Sequence, residues 1–202
     1  MQLLKFGLFA AALLLVSAGA MEKQGVSASK VKDSMLIDDF SSVGGASYNN
    51  GKWRFFADTV MGGRSEGRAT RVTLDNKKAM RLTGKVSLEN NGGFIQSALS
   101  LTKDNKPLDA SGYKGVRLVV RGNGERYAVH LRTSHTWLPW QYYGANFPTT
   151  GKWTTVEIPF SQFDAESLRR QLDTSRLTSI GIVAIKKAFD ADVSVARVEL
   201  YR

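Results

Sequence analysis

Short runs in which apolar and polar residues alternate recur along this chain, and clusters of glycine, asparagine and aspartate separate them. One face of the run at residues 79–88 is apolar and is formed by Met80, Leu82, Val86 and Leu88. The opposite face is polar, as the two-residue period of a half-buried strand requires. Many short strands with turn residues between them are typical of a β-sandwich or barrel, so the pattern predicts an all-β domain of about nine or ten strands.

Other runs add detail to this prediction. Strands are expected at residues 94–101, 116–121, 125–133, 153–160, 179–185 and 193–201. Pro159 indicates an edge or an exit position, because proline cannot donate a hydrogen bond to a neighbouring strand. The continuous apolar run 179–185 indicates a strand that is buried on both faces or central in its sheet. The sequence Gly122-Asn123-Gly124 predicts a hairpin between the second and third of these strands. Only residues 164–172 have a helical pattern, which predicts one short helix.

The first twenty residues have the pattern of a secretory signal peptide. Lys5 precedes an apolar run at residues 6–16, and the small residues Ala18 and Ala20 mark a cleavage site. The run is shorter than the roughly 20 apolar residues that span a bilayer. We therefore expect an exported protein, periplasmic or extracellular, with a flexible lead-in at residues 21–34, one domain at residues 35–202 and no transmembrane segment in the mature chain.

Charge and cysteine content narrow the class of partner. The 202-residue chain has 28 basic and 18 acidic residues, so its formal net charge is +10. A field of this sign favours anionic partners such as acidic glycans, phospholipid headgroups or acidic proteins, and we do not expect nucleic acid. The chain has no cysteine, which excludes disulfides, a lipid anchor on cysteine and a cysteine nucleophile.

No catalytic signature is found in the sequence. The chain has two histidines, His130 and His135, and it lacks the glycine-flanked serine of hydrolases and the Gly-Lys-Ser/Thr sequence of phosphate-binding loops. The adjacent carboxylates of Asp38 and Asp39 point to opposite faces of a strand, which makes them a poor acid–base pair. We therefore expect no enzyme activity, no catalytic residue and no cofactor.

Two elements of the sequence contain consecutive glycines. Residues 58–65 read Asp-Thr-Val-Met-Gly-Gly-Arg-Ser, and residues 91–94 read Asn-Gly-Gly-Phe. Glycine pairs allow positive φ and a close approach of the backbone, as tight turns and ligand-binding loops require, so we expect Gly92 or Gly93 to have a positive φ. Taken alone, both elements are also compatible with ordinary turns.

Further elements accompany these two in a fixed order. They are Asp38-Asp39-Phe40, the two glycine motifs, Tyr113-Lys114-Gly115-Val116, Arg121-Gly122-Asn123-Gly124 leading to Tyr127, Trp153, Ile158-Pro159-Phe160 with Phe163, and Ile180-Gly181-Ile182. The set covers residues 35–202 and resembles the complex I intermediate-associated protein 30 family, whose domain is a galactose-binding-like jelly roll. The resemblance implies a jelly-roll β-sandwich.

The resemblance also implies a non-catalytic binding or scaffolding function, with assembly intermediates of respiratory NADH dehydrogenase (complex I) as protein partners and a chaperone-like role. The setting differs, because the mitochondrial members work inside the organelle. In a bacterial cell, an exported copy would reach only the outer face of the membrane arm of that complex.

The motif loops supply the candidate contact residues of this function. They are Asp58, Met61, Gly62, Gly63, Arg64, Ser65, Asn91, Gly92, Gly93 and Phe94. Arg64, Ser65 and Asn91 are expected to make the polar contacts with a partner. The alternative for Arg64 is an internal ion pair, with Asp58 or Glu66, that only fixes the loop.

A second function is binding of a glycan or an anion in the cell envelope, since the fold is widely used for carbohydrate binding. Trp137, Trp140, Tyr142 and Tyr143 surround Gln141, and aromatic rings with a nearby amide suit the faces and hydroxyl groups of sugars. The same rings equally suit a cap over the core.

Basic residues extend this candidate ligand surface. Arg126, His130 and Arg132 share one strand face, and Arg117 and Arg121 share another. Paired in the predicted hairpin, these side chains form a basic patch for an anionic group, unless they are simply solvated charges. The candidate ligand surface therefore comprises Arg117, His130, Arg132, Trp137, Gln141 and Tyr142.

One metal site follows from the resemblance alone. Jelly rolls of this type often hold a structural calcium ion. Asp38, Asp39 and Glu199 are candidate oxygen ligands for it if the first and last strands adjoin.

Overall fold

The computed structural model describes residues 34–46 and 48–202. The predicted signal peptide and the predicted lead-in up to residue 33 lie outside the described residues. The strands are β1 (Ser34–Asp38), β2 (Arg54–Ala57), β3 (Glu66–Leu74), β4 (Lys77–Val86), β5 (Phe94–Ser100), β6 (Gly115–Gly122), β7 (Arg126–Thr133), β8 (Tyr142–Pro148), β9 (Thr154–Pro159), β10 (Asp164–Glu166), β11 (Leu177–Ile185) and β12 (Phe189–Tyr201). The 3₁₀ turns are Asp58–Met61, Glu89–Asn91, Phe160–Gln162 and Thr174–Arg176.

The strands form two antiparallel sheets of six strands each. Sheet A has the order β3-β4-β12-β6-β9, and β1 pairs with the C-terminal end of β12. Sheet B has the order β10-β8-β7-β11-β5-β2. Neighbouring strands are often distant in sequence, so the chain passes repeatedly from one sheet to the other. This two-layered sandwich confirms the predicted all-β class.

The core lies between the sheets and uses the apolar positions that the alternating pattern marks. Met80, Leu82 and Val86 of β4 are buried, whereas Leu88 lies beyond the end of that strand and is exposed. Full burial of one such side chain contributes roughly 1.5–3 kcal/mol to the free energy of unfolding. The largest fully buried rings are those of Tyr127, Tyr143 and Phe147.

Two predicted strand positions are confirmed. The strand that contains Pro159, β9, is an edge strand of sheet A. The apolar run 179–185 lies in β11, which is flanked by β7 and β5 inside sheet B. A strand with neighbours on both sides and sheet A beneath it has little contact with water, which explains its unbroken apolar sequence.

The predicted hairpin between β6 and β7 is wrong. β6 pairs with β12 and β9 in sheet A, whereas β7 pairs with β11 and β8 in sheet B. The Gly-Asn-Gly turn therefore carries the chain from one sheet to the other. The Asn123 N–H donates to the Asp192 carbonyl at 3.1 Å, and the Tyr127 hydroxyl donates to Asn123 Oδ1 at 2.8 Å. The bond to Asp192 joins residues that are far apart in the sequence, so the turn sequence does not encode it.

The predicted helix at residues 164–172 is also wrong. Asp164–Glu166 is β10, which pairs with residues 142–144 of β8 at the edge of sheet B. Leu168 and Leu172 follow in an irregular segment and pack against the core. A local helical preference is worth less than about 1 kcal/mol per residue, and an open sheet edge offers strong competing hydrogen bonds. Within the described chain, the helical segments are 3₁₀ turns of three or four residues.

Candidate functional site

The two glycine motifs meet around one buried carboxylate, that of Asp58. Its Oδ1 accepts a hydrogen bond from the Ser65 N–H at 2.8 Å, and its Oδ2 accepts one from the Ser65 hydroxyl at 2.5 Å. Oδ2 also accepts bonds from the N–H groups of Gly93 at 2.5 Å and Phe94 at 3.1 Å. We call these four residues the Asp58 clasp, because they join the loop after β2 to the loop before β5.

Glycine is required around the Asp58 clasp for two reasons. A Cβ atom on Gly63 would overlap the Asp58 carboxylate, and one on Gly92 would lie 2.6 Å from Oδ2. Gly62 and Gly93 have φ values of +88° and +135°, which other L-residues rarely adopt. The prediction of a positive φ at Gly92 or Gly93 is thus confirmed at Gly93. The main role of the motif glycines is therefore to let the two loops pack closely around Asp58.

The Asp58 carboxylate is occupied by the clasp. Burial alone would raise the pKa of Asp58, but the hydrogen bonds from Ser65, Gly93 and Phe94 outweigh burial and hold the pKa below its ordinary value of 3.8. Ser65 is fully buried, and its hydroxyl also accepts the Ser87 N–H at 2.9 Å. The prediction that Ser65 contacts a partner is therefore wrong, because neither its backbone nor its hydroxyl reaches the surface.

Arg64 lies outside the Asp58 clasp and is accessible. Its Nε is 3.6 Å from Glu89 Oε2, and both side chains are 67% exposed. The sequence allowed an ion pair of Arg64 with Asp58 or Glu66, but in the structure Arg64 forms a loose pair with Glu89 instead. A solvated pair of this kind is weak, so Arg64 remains available to a partner. The side chain of Asn91 lies outside the described part of the structure.

A groove of about 770 Å³ crosses the outer face of sheet B. The strand register places Arg54, Ala98, Gly181 and His130 side by side on β2, β5, β11 and β7. Ala98 and Gly181 are the smallest side chains of this row, so they form the floor of the groove. With Gly144 of β8 next to His130, the row spans about 19 Å at the usual spacing between strands.

Larger side chains form the walls of the groove. Gln96 of β5 extends over Gly181, with its Oε1 atom 3.3 Å from where a Cβ on that glycine would lie. The 3₁₀ turn Asp58–Met61 places Val60 and Met61 on one rim, and both are exposed. The first glycine motif therefore has two roles: its clasp residues hold the loop, whereas Val60 and Met61 line the groove. Aromatic and proline lining comes from Phe56, Phe94, Pro139, Trp140 and Tyr142.

The opposite rim is the loop between β7 and β8, and Arg132 holds it in place. The Arg132 guanidinium donates to the carbonyls of Thr136 at 3.1 Å and Leu138 at 2.9 Å. Gln141 Oε1 accepts the Trp137 N–H at 2.9 Å, and Gln141 Nε2 donates to the Ser167 carbonyl at 3.3 Å. Both ends of the Gln141 amide, predicted to contact a ligand, are thus bonded within the protein, and sugar hydroxyls would have to displace these bonds.

The aromatic residues of this loop have different environments. Trp140 is 51% exposed and lines the groove, whereas Trp137 is 84% exposed and lies outside its lining. Tyr143 is buried in the core, as the capping alternative predicted. The Tyr142 ring stacks on the His130 imidazole at a centroid distance of 3.7 Å. Of the four aromatic residues predicted around Gln141, Trp140 and Tyr142 therefore line the groove.

His130 is a neutral group in the groove. Burial, with a smaller contribution from the Lys186 ammonium, lowers the pKa of His130 to about 3. At neutral pH its imidazole therefore carries one N–H donor and one acceptor nitrogen rather than a charge. A neutral imidazole fits hydroxyl groups, which also donate and accept.

The predicted basic patch is divided between two faces. Arg117 lies on the outer face of sheet A, where it bonds Glu157 at 2.7 Å and Glu199 at 2.8 Å. His130 and Arg132 lie on the outer face of sheet B. The assignment of Arg117 to the ligand surface is therefore wrong, because it depended on the hairpin that does not form.

The calcium candidates do not come together as ligands. The Glu199 carboxylate binds Arg117, Arg197 and Ser34, and the Asp38 carboxylate accepts the indole N–H of Trp53 at 2.9 Å. Among the described residues, no group of three acidic or histidine side chains is arranged to hold a metal ion. Two arginines on one carboxylate oppose cation binding by charge repulsion.

No helix in residues 34–46 or 48–202 is long and apolar enough to cross a membrane.

The two packed antiparallel sheets give this chain the fold of the galactose-binding-like jelly-roll sandwiches. The family model for complex I intermediate-associated protein 30 matches residues 39–195. The chain therefore belongs to the complex I intermediate-associated protein 30 family, as its motifs indicated. A search of curated protein sequences finds no match.

Three solved structures with a similar fold are carbohydrate-binding modules. The family 11 module of the cellulosomal cellulase Lic26A-Cel5E of Clostridium thermocellum has a TM-score of 0.65 and 16% identity, covering 83% of this chain and 94% of that one. The family 11 module from the same organism in complex with a β-1,3-1,4-mixed-linked tetrasaccharide has a TM-score of 0.62 and 17% identity, covering 83% and 95%. A family 30 module of the cellulosomal cellulase Cel9D-Cel44B has a TM-score of 0.54 and 17% identity, covering 73% and 90%. At these identities the likeness concerns the fold.

Several groove residues were not found from the sequence. Arg54, Phe56, Gln96 and Gly181 come from three strands, and only their register makes them neighbours. One usable signal existed for Phe56 and Gln96, since each occupies an outward position in an otherwise alternating run. Gly181 was matched as a family element, but its position at the centre of a groove floor required the tertiary structure.

Proposed function

We propose that this protein is a non-catalytic binding protein that holds an oligosaccharide in the groove of sheet B. The observation that carries the proposal is the lining: Trp140 and Tyr142 provide aromatic surface beside the polar side chains of Gln96, His130 and Arg54. The C–H faces of sugars pack on aromatic rings, and their hydroxyls need donors and acceptors close by. The groove volume of about 770 Å³ is in the range of ligand sites.

The location of the groove favours a ligand that is recognised by side chains. Its floor lies on β5, β11 and β7, whose backbone groups already pair with strands on both sides. A peptide that binds by strand addition needs a free sheet edge. The fold also supports the proposal, because a related module is known in complex with a tetrasaccharide.

Two tryptophans of one loop allow a matched test. Trp140→Ala should weaken binding of oligosaccharides identified on a glycan array by roughly tenfold or more, because Trp140 lines the groove. Trp137→Ala is the control, since that ring is more exposed but lies outside the lining. Calorimetric titration of both variants measures the effect. Absence of any array binder, or equal losses in the two variants, would refute groove binding of a glycan.

A second candidate is the role that the family name describes, association with assembly intermediates of respiratory complex I. The observation that favours it is the exposed apolar rim formed by Val60 and Met61, which belong to the family motif. Exposed apolar side chains grouped on a rim are typical of protein contact surfaces. In this function the motif loop presents the rim to a protein, and the protein acts as a scaffold.

Affinity capture tests this second candidate. The immobilised protein should retain NADH dehydrogenase subunits from detergent-solubilised membranes of its own cells, identified by mass spectrometry. Replacing Val60 and Met61 by Asp should abolish retention, whereas Val43→Asp, at a site that is 93% exposed and outside the groove lining, should not. Retention that is unchanged in the rim variant would argue against this surface.

The proposal includes export and cleavage of the signal peptide. The supporting observation is the sequence pattern of residues 1–20. N-terminal sequencing of protein from the cell envelope should begin at Met21. A full-length product in the cytosol would contradict export, and it would leave glycans of the envelope out of reach.

A further inference from the structure

The charged side chains that line the groove of sheet B all have the same sign. They are Lys52, Arg54 and Arg132, and no acidic side chain of the described residues lines the groove. Among the described residues, the other titratable lining groups are His130, which is neutral at pH 7, and Tyr142. Glu166 lies beside Tyr142 but is bound to Lys186 at 3.0 Å. The groove therefore presents an uncompensated positive potential to its ligand.

The three cations differ in how they are held. Arg132 donates to four oxygen atoms of the β7–β8 loop and has a structural role. Lys52 and Arg54 make no ion pair with any carboxylate of the described residues, and both are exposed at the β2 end of the groove. A guanidinium has five donors in a planar fork that matches the two oxygens of a carboxylate. Arg54 thus has its donors available to a ligand.

The opposite end of the row is aromatic. Tyr142 stacks on His130 at the β7–β8 end, and the Ala98–Gly181 floor separates this pair from Arg54. A ligand that fills the groove therefore meets rings at one end, neutral polar groups in the middle and two cations at the other end. The distance between the ends suits several linked units rather than one small ion.

We propose that the ligand of this groove is an acidic oligosaccharide, with a carboxylate or sulfate group bound by Arg54 and Lys52 and a sugar ring packed against Trp140 and Tyr142. The inference rests on the proposed function and names the chemical class of its ligand. The acid group supplies the charge that the lining lacks, and the sugar rings supply C–H faces and hydroxyls for the rest of the groove.

Matched pairs of linear tetrasaccharides test the inference. Each pair shares its linkage and its galactose, glucose or mannose backbone and differs only in the acid group, with uronate and sulfate forms as separate arms. At least one acidic member should bind roughly tenfold or more tightly than its neutral counterpart. Its affinity should fall as NaCl rises from about 50 to about 500 mM, because screening shortens the range of the interaction.

Two arginine variants locate the effect. Arg54→Gln should remove the preference for the acidic member, whereas Arg68→Gln on β3 should keep it, since Arg68 is also exposed and unpaired within the described residues but lies outside the groove. Equal binding of neutral and acidic members would overturn this inference and leave the proposed function intact. Absence of binding by every oligosaccharide would overturn both. If a tetraglutamate peptide bound instead of the oligosaccharides, and Arg54→Gln abolished that binding, the ligand would be an acidic peptide rather than a glycan.

Discussion

Charged side chains are paired at the centre of the outer face of sheet A but unpaired at the β2 end of the groove on sheet B. On sheet A, Arg117 lies between Glu157 and Glu199, so that one cation bridges two carboxylates across three strands. On sheet B, Arg54 has Ala98 as its cross-strand neighbour and makes no ion pair within the described chain. Strand register produces this difference, because it decides which side chain stands opposite each arginine.

This contrast in charge pairing indicates where a ligand can bind. A face whose cations and anions satisfy each other has little electrostatic free energy left for a partner. Arg81 with Asp192 and Arg121 with Asp75 extend the paired network of sheet A. Sheet B instead combines unpaired cations, aromatic rings and a floor of small residues in one groove.

The largest effect is expected at the Asp58 clasp. Asp58→Ala removes the acceptor of the Ser65, Gly93 and Phe94 N–H groups, and unpaired buried donors cost about 1–3 kcal/mol each. The free energy of unfolding should therefore fall by at least about 3 kcal/mol, measured by urea denaturation. Glu89→Ala, in the same pair of loops but exposed, is the control and should change it little. Equal midpoints for the two variants would show that the clasp is not a source of stability.

A smaller loss is expected from the paired face of sheet A. Glu199 is buried, and Glu199→Gln leaves Arg197 without a carboxylate and Arg117 with Glu157 alone. We expect a loss of about 2 kcal/mol, less than for a fully buried pair because both arginines reach solvent. The same substitution should not alter ligand affinity in the groove. A stability equal to that of the parent protein would mean that the network is solvated and that the contrast between faces is weaker.

Acid should weaken the folded state through the same carboxylates. Burial alone would raise the pKa of Glu199, but its bonds with Arg117 and Arg197 outweigh burial and lower it, as the clasp does for Asp58. A lowered folded pKa gives stability that is present above the unfolded values of 3.8 and 4.5 and is lost as the pH falls through the folded pKa. Urea midpoints should therefore decline below about pH 4.5, and Glu199→Gln should decline less steeply. Parallel pH profiles would contradict the assignment to Glu199.

The smallest effect on stability is expected at Arg64. Arg64→Ala removes one loose pair between exposed side chains, so the free energy of unfolding should change by less than about 0.5 kcal/mol. Because Arg64 lies on the motif loop and not in the groove lining, its loss should reduce capture of a protein partner and leave oligosaccharide affinity unchanged. Thermal unfolding, affinity capture and calorimetry on one variant thus separate the two candidate functions. An unfolded variant would instead assign Arg64 a structural role.

Several residues of the groove could be predicted from the sequence pattern of their own strand. The sequence predicted His130, Arg132 and Tyr142 as ligand-surface residues, and all three line the groove. It could not exclude Arg117, because Gly122-Asn123-Gly124 is compatible both with a hairpin and with a crossing between sheets. Gln141 was misjudged for a related reason: a polar side chain near aromatic rings can serve a ligand or its own loop, and only the contacts distinguish these roles.

The amino-acid sequence alone indicated the alternating strands, such as β4, their buried faces and the family, because alternation and the order of motifs are properties of the chain. It also indicated the positive φ found at Gly93, because this conformational preference is local. The tertiary structure decided which strands pair, and with them the buried role of Asp58 and the row from Arg54 to His130. Side chains far apart in sequence acquire a common function only when register and sheet order bring them together, and no local preference encodes that choice.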